Sequence, residues 1–260
     1  MEAPVSQDAG HESRRFTLTD LTLEVAGGSV VGNRYRDNYD VIHVDSTLPF
    51  AVVADGMGDG AGSRRAGAAA VPTFAALVRE AWPEIGADRL RSVADAVQAA
   101  VIEAGRGSPQ LTGCTLTGLV VEPHGGQGWV IQLGDSRAYR LRDDLLELAT
   151  TDHTVAWLGV LHGWYPTDSP AAARARYQLT RYAGHPAAPE ADLLAVTLRP
   201  GDTWLLCTDG VSDQVSYHVM QEALIRPEPA DAVRTLLRAS LDAGGADNAS
   251  AVVLRAGPAS

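Results

Sequence analysis

Cysteine is scarce in this chain of 260 residues. Cys114 and Cys207 are the only two, too few for a disulfide scaffold or a four-thiolate zinc site. A reducing compartment is the simpler expectation. Long hydrophobic runs are missing as well. The apolar stretches are strand-sized and interrupted, short of the ~20 residues that a membrane span needs. The opening MEAPVSQDAGHES has no basic-then-apolar secretory pattern, so a cytoplasmic, soluble protein is expected. Positive charge is in deficit: Lys+Arg 21 against Asp+Glu 32 gives a formal net charge of -11. That argues against a nucleic-acid partner and against an anionic membrane surface. What remains is an ordinary globular composition, 45% hydrophobic and 20% charged, which leaves little room for a disordered or fibrous reading.

Residues 1 to 15 are polar and aperiodic and read as a mobile tail; a single domain is expected over residues 16 to 257. Leu21, Leu23 and Val25 alternate with polar residues as in a half-buried strand, and the short runs VIHV (41 to 44) and FAVVA (50 to 54) follow. Helical spacing predicts helices over 62 to 82 and 88 to 104. CTLTGLVVE (114 to 122), GWVIQLG (128 to 134) and AYRLR (138 to 142) predict antiparallel hairpins. Residues 155 to 191, with four prolines, read as an irregular flap standing off the sheets. LLAVTL, TWLLCT, a helix from about Pro229 to Asp242 and ASAVVLRA close the chain. Strands grouped with strands and helices with helices favour an α+β class, a mainly antiparallel sandwich covered by helices.

Acidic residues mark the strand ends. FAVVA runs into Asp55-Gly56, TWLLCT into Asp209-Gly210, and WVIQLG into Asp135; Asp40 stands before VIHV and Asp247 before ASAVVL. In antiparallel pairs the end of one strand lies beside the start of the next, so all five carboxylates can meet on one rim. Five ionised carboxylates that close repel by several kcal/mol even at an effective dielectric of ~20, and protons or multivalent cations must offset this. Without Cys or His nearby, an all-oxygen site selects hard ions such as Mg²⁺ or Mn²⁺.

Other local patterns fail on spacing. Read as a calcium loop from Asp55, the segment has Met57 at the third position and Ala66 at the twelfth, where carboxylates belong. Gly56 to Ala61 matches a dinucleotide fingerprint, but the region that should end a second parallel strand, AALVREAW, is helical. Neither cysteine is followed six residues later by Arg; those positions hold Val120 and Asp213, so a cysteine-loop phosphatase is unsupported. His153 reads as a structural hydrogen-bonding residue.

The ordered motifs resemble the metal-dependent protein phosphatases of the type 2C serine/threonine family, in its compact bacterial form. VADGMGDGAG is similar to the family's D-G-M-G-G segment, GCTLTGLVV to its G-[TS]-T strand, and LGDSRAYRLRDDLLELATTDHT to G-D-S-R-A-Y with the following T-x-D-H. RPGDTWLLCTDGVSDQV and GGADNASAVVL are similar to the closing P-G-D…L-L-C-[ST]-D-G-[LV]-x-D and D-N-x-[ST] motifs. The resemblance implies a four-layer α-β-β-α sandwich. By position it implies Asp55 as the carboxylate bridging two metals, the Gly56 carbonyl as a ligand of one, and Asp209 and Asp247 as ligands of the other. The resemblance likewise implies a third, weaker metal position at Asp135 with Asp209, and Asp40 falls on the family's N-E-D segment.

That segment departs from the family's G-x-x-R-x-x-N-E-D. Tyr35 stands at the Arg position and Tyr39 at the Glu position, while Asn38 and Asp40 stay in register. Asp37 or Asp59 is the candidate substitute for the lost Glu, and Arg34 or Arg36 for the phosphate-binding Arg. The implied activity is hydrolysis of phosphoserine and phosphothreonine monoesters on a phosphoprotein substrate by a metal-bridging water. Two or three Mn²⁺ or Mg²⁺ ions, an opposing Ser/Thr kinase and a monomeric state go with it. A second reading, motivated by Tyr39, is a weak or inactive sensor or scaffold that keeps the fold and binds metal or phosphoprotein.

Overall fold

The computed structural model describes residues 12–259. In chain order it comprises β1 (Glu12–Thr17), β2 (Leu21–Val30), β3 (Val41–Val44), β4 (Phe50–Ala54), α1 (Ala61–Ala81), α2 (Ala87–Gly105), β5 (Leu116–Val121), β6 (Gln127–Leu133), β7 (Arg137–Arg142) and β8 (Leu145–Leu148). There follow α3 (Val155–Leu161), α4 (Pro170–Ala175), β9 (Asp192–Thr197), β10 (Thr203–Cys207), α5 (Asp209–Ser212), α6 (Tyr217–Ile225), α7 (Pro229–Asp242) and β11 (Ala249–Pro258). The strands form two sheets, ordered β1-β2-β11-β10-β7-β8 and β3-β4-β5-β6-β9, with every pairing antiparallel.

Side-chain alternation builds the layers. Along β4, Ala51 and Val53 face the opposite sheet, where they meet Leu23, Trp204, Leu206 and Val252. Phe50, Val52 and Ala54 face outward and are covered by α1 and α2 through Phe74, Val78, Leu90 and Val97. In the other sheet Leu205, Cys207, Ala251 and Val253 turn outward beneath Val233, Leu236 and Leu237 of α7. A strand packed on both faces has no solvent side, so FAVVA and TWLLC read as unbroken apolar runs. On α1, Gly62, Ala66, Ala70, Phe74 and Val78 recur every four residues and all are buried, the stripe that a helix lying on a sheet requires.

Three expectations are corrected. Residues 12 to 15 of the tail expected over residues 1 to 15 are strand instead: β1 begins at Glu12, pairs with β2 and forms a sheet edge; the rest of that expectation, residues 1–11, lies outside the described residues. An edge strand is held by backbone bonds along one side and needs little apolar surface, so ESRRFT carries no alternation to read. At the other end β11 runs to Pro258, one residue beyond the expected boundary. Finally, β6 and β7 do not pair. β7 crosses to the other sheet, between β10 and β8, because Gly134 adopts a left-handed φ of 106 and turns the chain out of β6. Among the described residues no helix is long and apolar enough to cross a membrane.

Candidate active site

Strand directions bring five acidic residues to one rim. Asp55 leaves the end of β4, Asp135 follows β6, Asp209 follows β10, Asp40 precedes β3 and Asp247 precedes β11. The registers Val41 with Ala54 and Cys207 with Ala251 set the start of one strand beside the end of the next. Asp55, Gly56, Asp135, Asp209 and Asp247 line a cavity of about 260 Å³ whose mouth carries Tyr35 and, from the flap, Tyr177. Asp40 lies beneath, buried, outside the lining.

Hydroxyl groups fix this floor. The Asp55 N–H donates to the Thr115 hydroxyl (2.9 Å) and the Thr115 N–H donates to the Asp55 carbonyl (2.8 Å). The Thr115 hydroxyl in turn lies 2.6 Å from that of Ser136, the neighbour of Asp135, so Asp55 and Asp135, which follow β4 and β6 of one sheet, are tied together through the residue before β5. Asp40 Oδ2 accepts from the Thr208 hydroxyl (2.8 Å) and the Ser250 hydroxyl (2.7 Å), beside Asp209 and on β11 respectively. Asn248 accepts the Tyr39 N–H at 2.7 Å and donates to the Val31 and Asp37 carbonyls, stapling the 31–39 loop to β11.

Glycine after aspartate has a steric reason at both Asp-Gly pairs. A Cβ at Gly56 would press on the backbone carbonyls of Tyr39 (2.8 Å) and Ser63 (2.9 Å), and one at Gly210 would overlap the Asn248 carbonyl. Each glycine lets another segment of backbone close in next to its aspartate.

The carboxylates perturb one another. Burial raises Asp55 well above the ordinary carboxylate range, and the charges of Asp40, Asp209, Asp135 and Asp247 add to it. Burial pushes Asp135 up to about 8, reinforced by Asp209 and Asp152. Asp40 rises to about 7 through burial, despite the hydrogen bonds from Ser250 and Thr208. Asp209 rises to about 6, from burial and then Asp247 and Asp213. Asp247 is raised by burial, against the Asn248 N–H and Arg34.

Among the described residues no three of these groups are already drawn into one chelating cluster. The donor set nevertheless fits hard cations. All side-chain donors are carboxylate oxygens, and two buried ones, Asp40 Oδ1 and Asp209 Oδ1, have no hydrogen-bond partner. Leaving such oxygens buried and unpaired is costly unless a cation or proton takes them up.

The expected arginines sit outside the lining. Arg34 is exposed and stacks over the Tyr35 ring, its Cζ 5.0 Å from the centroid, near enough to act on Asp247. Arg36 is exposed. Asp37 is committed to Arg64 at 3.0 Å on the surface, so it does not stand in for the missing Glu. Tyr39 is buried and donates its hydroxyl to the Asp59 carbonyl at 2.8 Å. A second lobe, sharing Asp135 and Asp209, is bounded by Asp152 and Asp213; Arg137 holds Asp152 through bonds of 2.8 and 2.6 Å, and the flap's Arg176 pairs with Asp213. His153 is structural: its Nδ1 accepts the Gly134 N–H at 3.1 Å and its Nε2 lies 3.1 Å from Asp192. Sequence reasoning assigned no role to Thr115, Ser136, Thr208, Asn248 or Ser250. Their signal was present, as polar residues interrupting apolar strands inside the quoted motifs.

Comparison with known proteins agrees with this geometry. The profile of the family described as Protein phosphatase 2C matches residues 29–247. The serine/threonine protein phosphatase PstP of Mycobacterium tuberculosis is 32% identical over 90% of this chain; the chain spans 45% of that relative's length. Among solved structures, the catalytic domain of PstP in complex with two manganese ions superposes with a TM-score of 0.78 at 31% identity, covering 91% of this chain and 99% of that one. The PPM Ser-Thr phosphatase MsPP of Mycobacterium smegmatis, in complex with cacodylate, gives 0.77 at 32%, covering 89% and 97%. Motif order, sheet topology and a profile match over most of its length agree, and the chain belongs to the protein phosphatase 2C family.

Proposed function

We propose that this chain hydrolyses phosphoserine and phosphothreonine monoesters on proteins with the help of two or three divalent cations, Mn²⁺ or Mg²⁺. The observation that carries this is the convergence, from both sheets, of four mutually repelling carboxylates on one cavity, with a fifth, Asp40, buried beneath them and buried oxygens left free. Asp55, the Gly56 carbonyl, Asp209 and Asp247 would hold two of the cations between them. Asp135 with Asp209 would form a third position, and Asp40 supports the group from below.

Cations bound there would acidify water and neutralise charge developing on the phosphoryl oxygens. The protein's own residues complement that chemistry mostly by what they withhold. Cys114 and Cys207 are fully buried and burial pushes both thiols up, Cys207 to about 12, so neither serves as a nucleophile and no phosphoenzyme forms on sulfur. Met57, not a histidine, lines the cavity beside Gly56. The backbone of Asp55 is fixed by its two bonds to Thr115 and that of Asp209 by the first turn of α5, so both carboxylates project from rigid positions, as electrostatic preorganisation requires. Arg34, close enough to act on Asp247, would supply positive charge for a phosphate dianion.

We further propose that the chain acts as a monomer in the cytoplasm, in signalling, on phosphoproteins made by an opposing Ser/Thr kinase. The names of its relatives support phosphoprotein substrates, and the net charge of -11 disfavours nucleic acid. Phosphothreonine and phosphoserine peptides should release phosphate in manganese buffer and stop on addition of chelator. Phosphate release that persists in chelator, or tight phosphopeptide binding without turnover, would contradict the reading.

A further inference from the structure

Tyr35 has no role in the reading above, yet it holds the most telling place on the rim. It stands where the family pattern has Arg, and it lines the cavity together with Asp55, Asp209 and Asp247, while Arg34 and Arg36 on either side do not. Its ring is fixed on two sides. The Arg34 guanidinium lies over it at 5.0 Å, and Tyr39 packs against it edge-on, with centroids 6.1 Å apart and planes at 82°. Tyr39 is itself buried and anchored to the Asp59 carbonyl and to Asn248, so the support beneath Tyr35 is rigid. The two hydroxyls differ in one respect. That of Tyr39 is spent on Asp59, whereas none of the hydrogen bonds among the described residues involves that of Tyr35.

A phenol keeps its proton at neutral pH, so an uncommitted tyrosine hydroxyl at the mouth of a phosphate-sized cavity is a free donor without charge. A guanidinium in the same place would be drawn to Asp247 and Asp209. A phenol is not, and remains available to an incoming anion. We propose that Tyr35 contacts the substrate's phosphoryl group, donating one hydrogen bond in place of the guanidinium pair, with Arg34 stacked behind it to supply positive charge at one remove. This inference rests on the phosphatase reading of the same cavity. It adds that phosphate capture here depends on a neutral donor, so affinity falls off with salt less steeply than a direct arginine contact would make it.

The test uses the manganese-loaded protein, with inorganic phosphate binding followed by calorimetry and turnover of a phosphothreonine peptide followed by phosphate release. Tyr35→Phe keeps the ring and its packing and removes only the donor. It should weaken inorganic phosphate binding and raise KM by about 10-fold, the order expected for one hydrogen bond to a charged acceptor, with kcat changing less and manganese affinity unchanged. Tyr35→Arg, whose guanidinium is drawn to Asp247 and Asp209, should bind inorganic phosphate no more tightly than the wild type and with greater sensitivity to salt. If Tyr35→Phe binds inorganic phosphate and turns over peptide as the wild type does, the inference is overturned while the phosphatase reading stands. If the wild type neither binds phosphate nor turns over peptide, both fall together.

Discussion

Replacing Asp55 with asparagine is expected to lower manganese-dependent hydrolysis of p-nitrophenyl phosphate by about 10³-fold or more, equivalent to about 4 kcal/mol of transition-state stabilisation. The substitution conserves size and leaves the backbone bonds to Thr115 in place, so the loss reports the missing charge. Asp55 feels the charges of Asp40, Asp209, Asp135 and Asp247 together, which makes it the hub of the acidic group. A second readout separates this cause from misfolding. In the absence of metal, Asp55→Asn removes one of several repelling buried carboxylates, so the metal-free variant should melt no lower than the metal-free wild type at pH 8, and higher if the repulsion dominates. Activity and stability then move in opposite directions. Retention of activity within tenfold of wild type would count against the assigned role, as would a metal-free melting temperature well below wild type.

Manganese should raise the melting temperature more at high pH than at low pH. Asp40, Asp135 and Asp209 are lifted to about 7, 8 and 6 in the folded, metal-free protein, above the ordinary carboxylate value near 4. Between those limits the folded state binds protons that the unfolded chain has already released, so folding stability falls as pH rises through the window. Below about pH 4 both states are protonated and the penalty vanishes. A divalent cation neutralises the same charges without needing the protons. Its stabilising effect is therefore largest near pH 8, where the carboxylates are most nearly ionised. A single site filled at a hundred times its Kd contributes about 2.7 kcal/mol, or roughly 5–10 °C for a domain of this size. Differential scanning fluorimetry with manganese or chelator at pH 5.5 and pH 8 measures the gap. A gap that stays constant, or that narrows as pH rises, contradicts the account.

The parts of this architecture that were legible in the sequence share a physical reason. β4 and β10 are packed on both faces, which writes continuous apolar runs, and each stops at an Asp-Gly pair whose glycine lets backbone approach. α7 was legible, with proline at its first turn and a periodic apolar stripe. Short, one-sided elements were not. β8 is four residues at a sheet edge, reached through Asp143 and Asp144, both with positive φ as a two-residue hairpin turn requires but without the usual glycine. α6, nine residues behind Ser216, was also passed over. The sheet to which β7 belongs was out of reach, because alternation records which faces are buried and not which strand is the neighbour. At the site, the five aspartates announced themselves at strand ends. The place of Tyr35 did not, since Arg34-Tyr35-Arg36 lies in a loop where no period says which side chain turns inward.

The claim beneath all of this is that Asp55, Asp209 and Asp247 together cage paired divalent cations. Crystals grown at pH 8 in millimolar manganese and measured at the manganese absorption edge test it most directly. At least two anomalous peaks are expected inside the cavity floored by those residues, and both should vanish in Asp55→Asn crystals. An anomalous map with no peak among the three carboxylates would contradict the account, and peaks that survive unchanged in the variant would remove Asp55 from the cage.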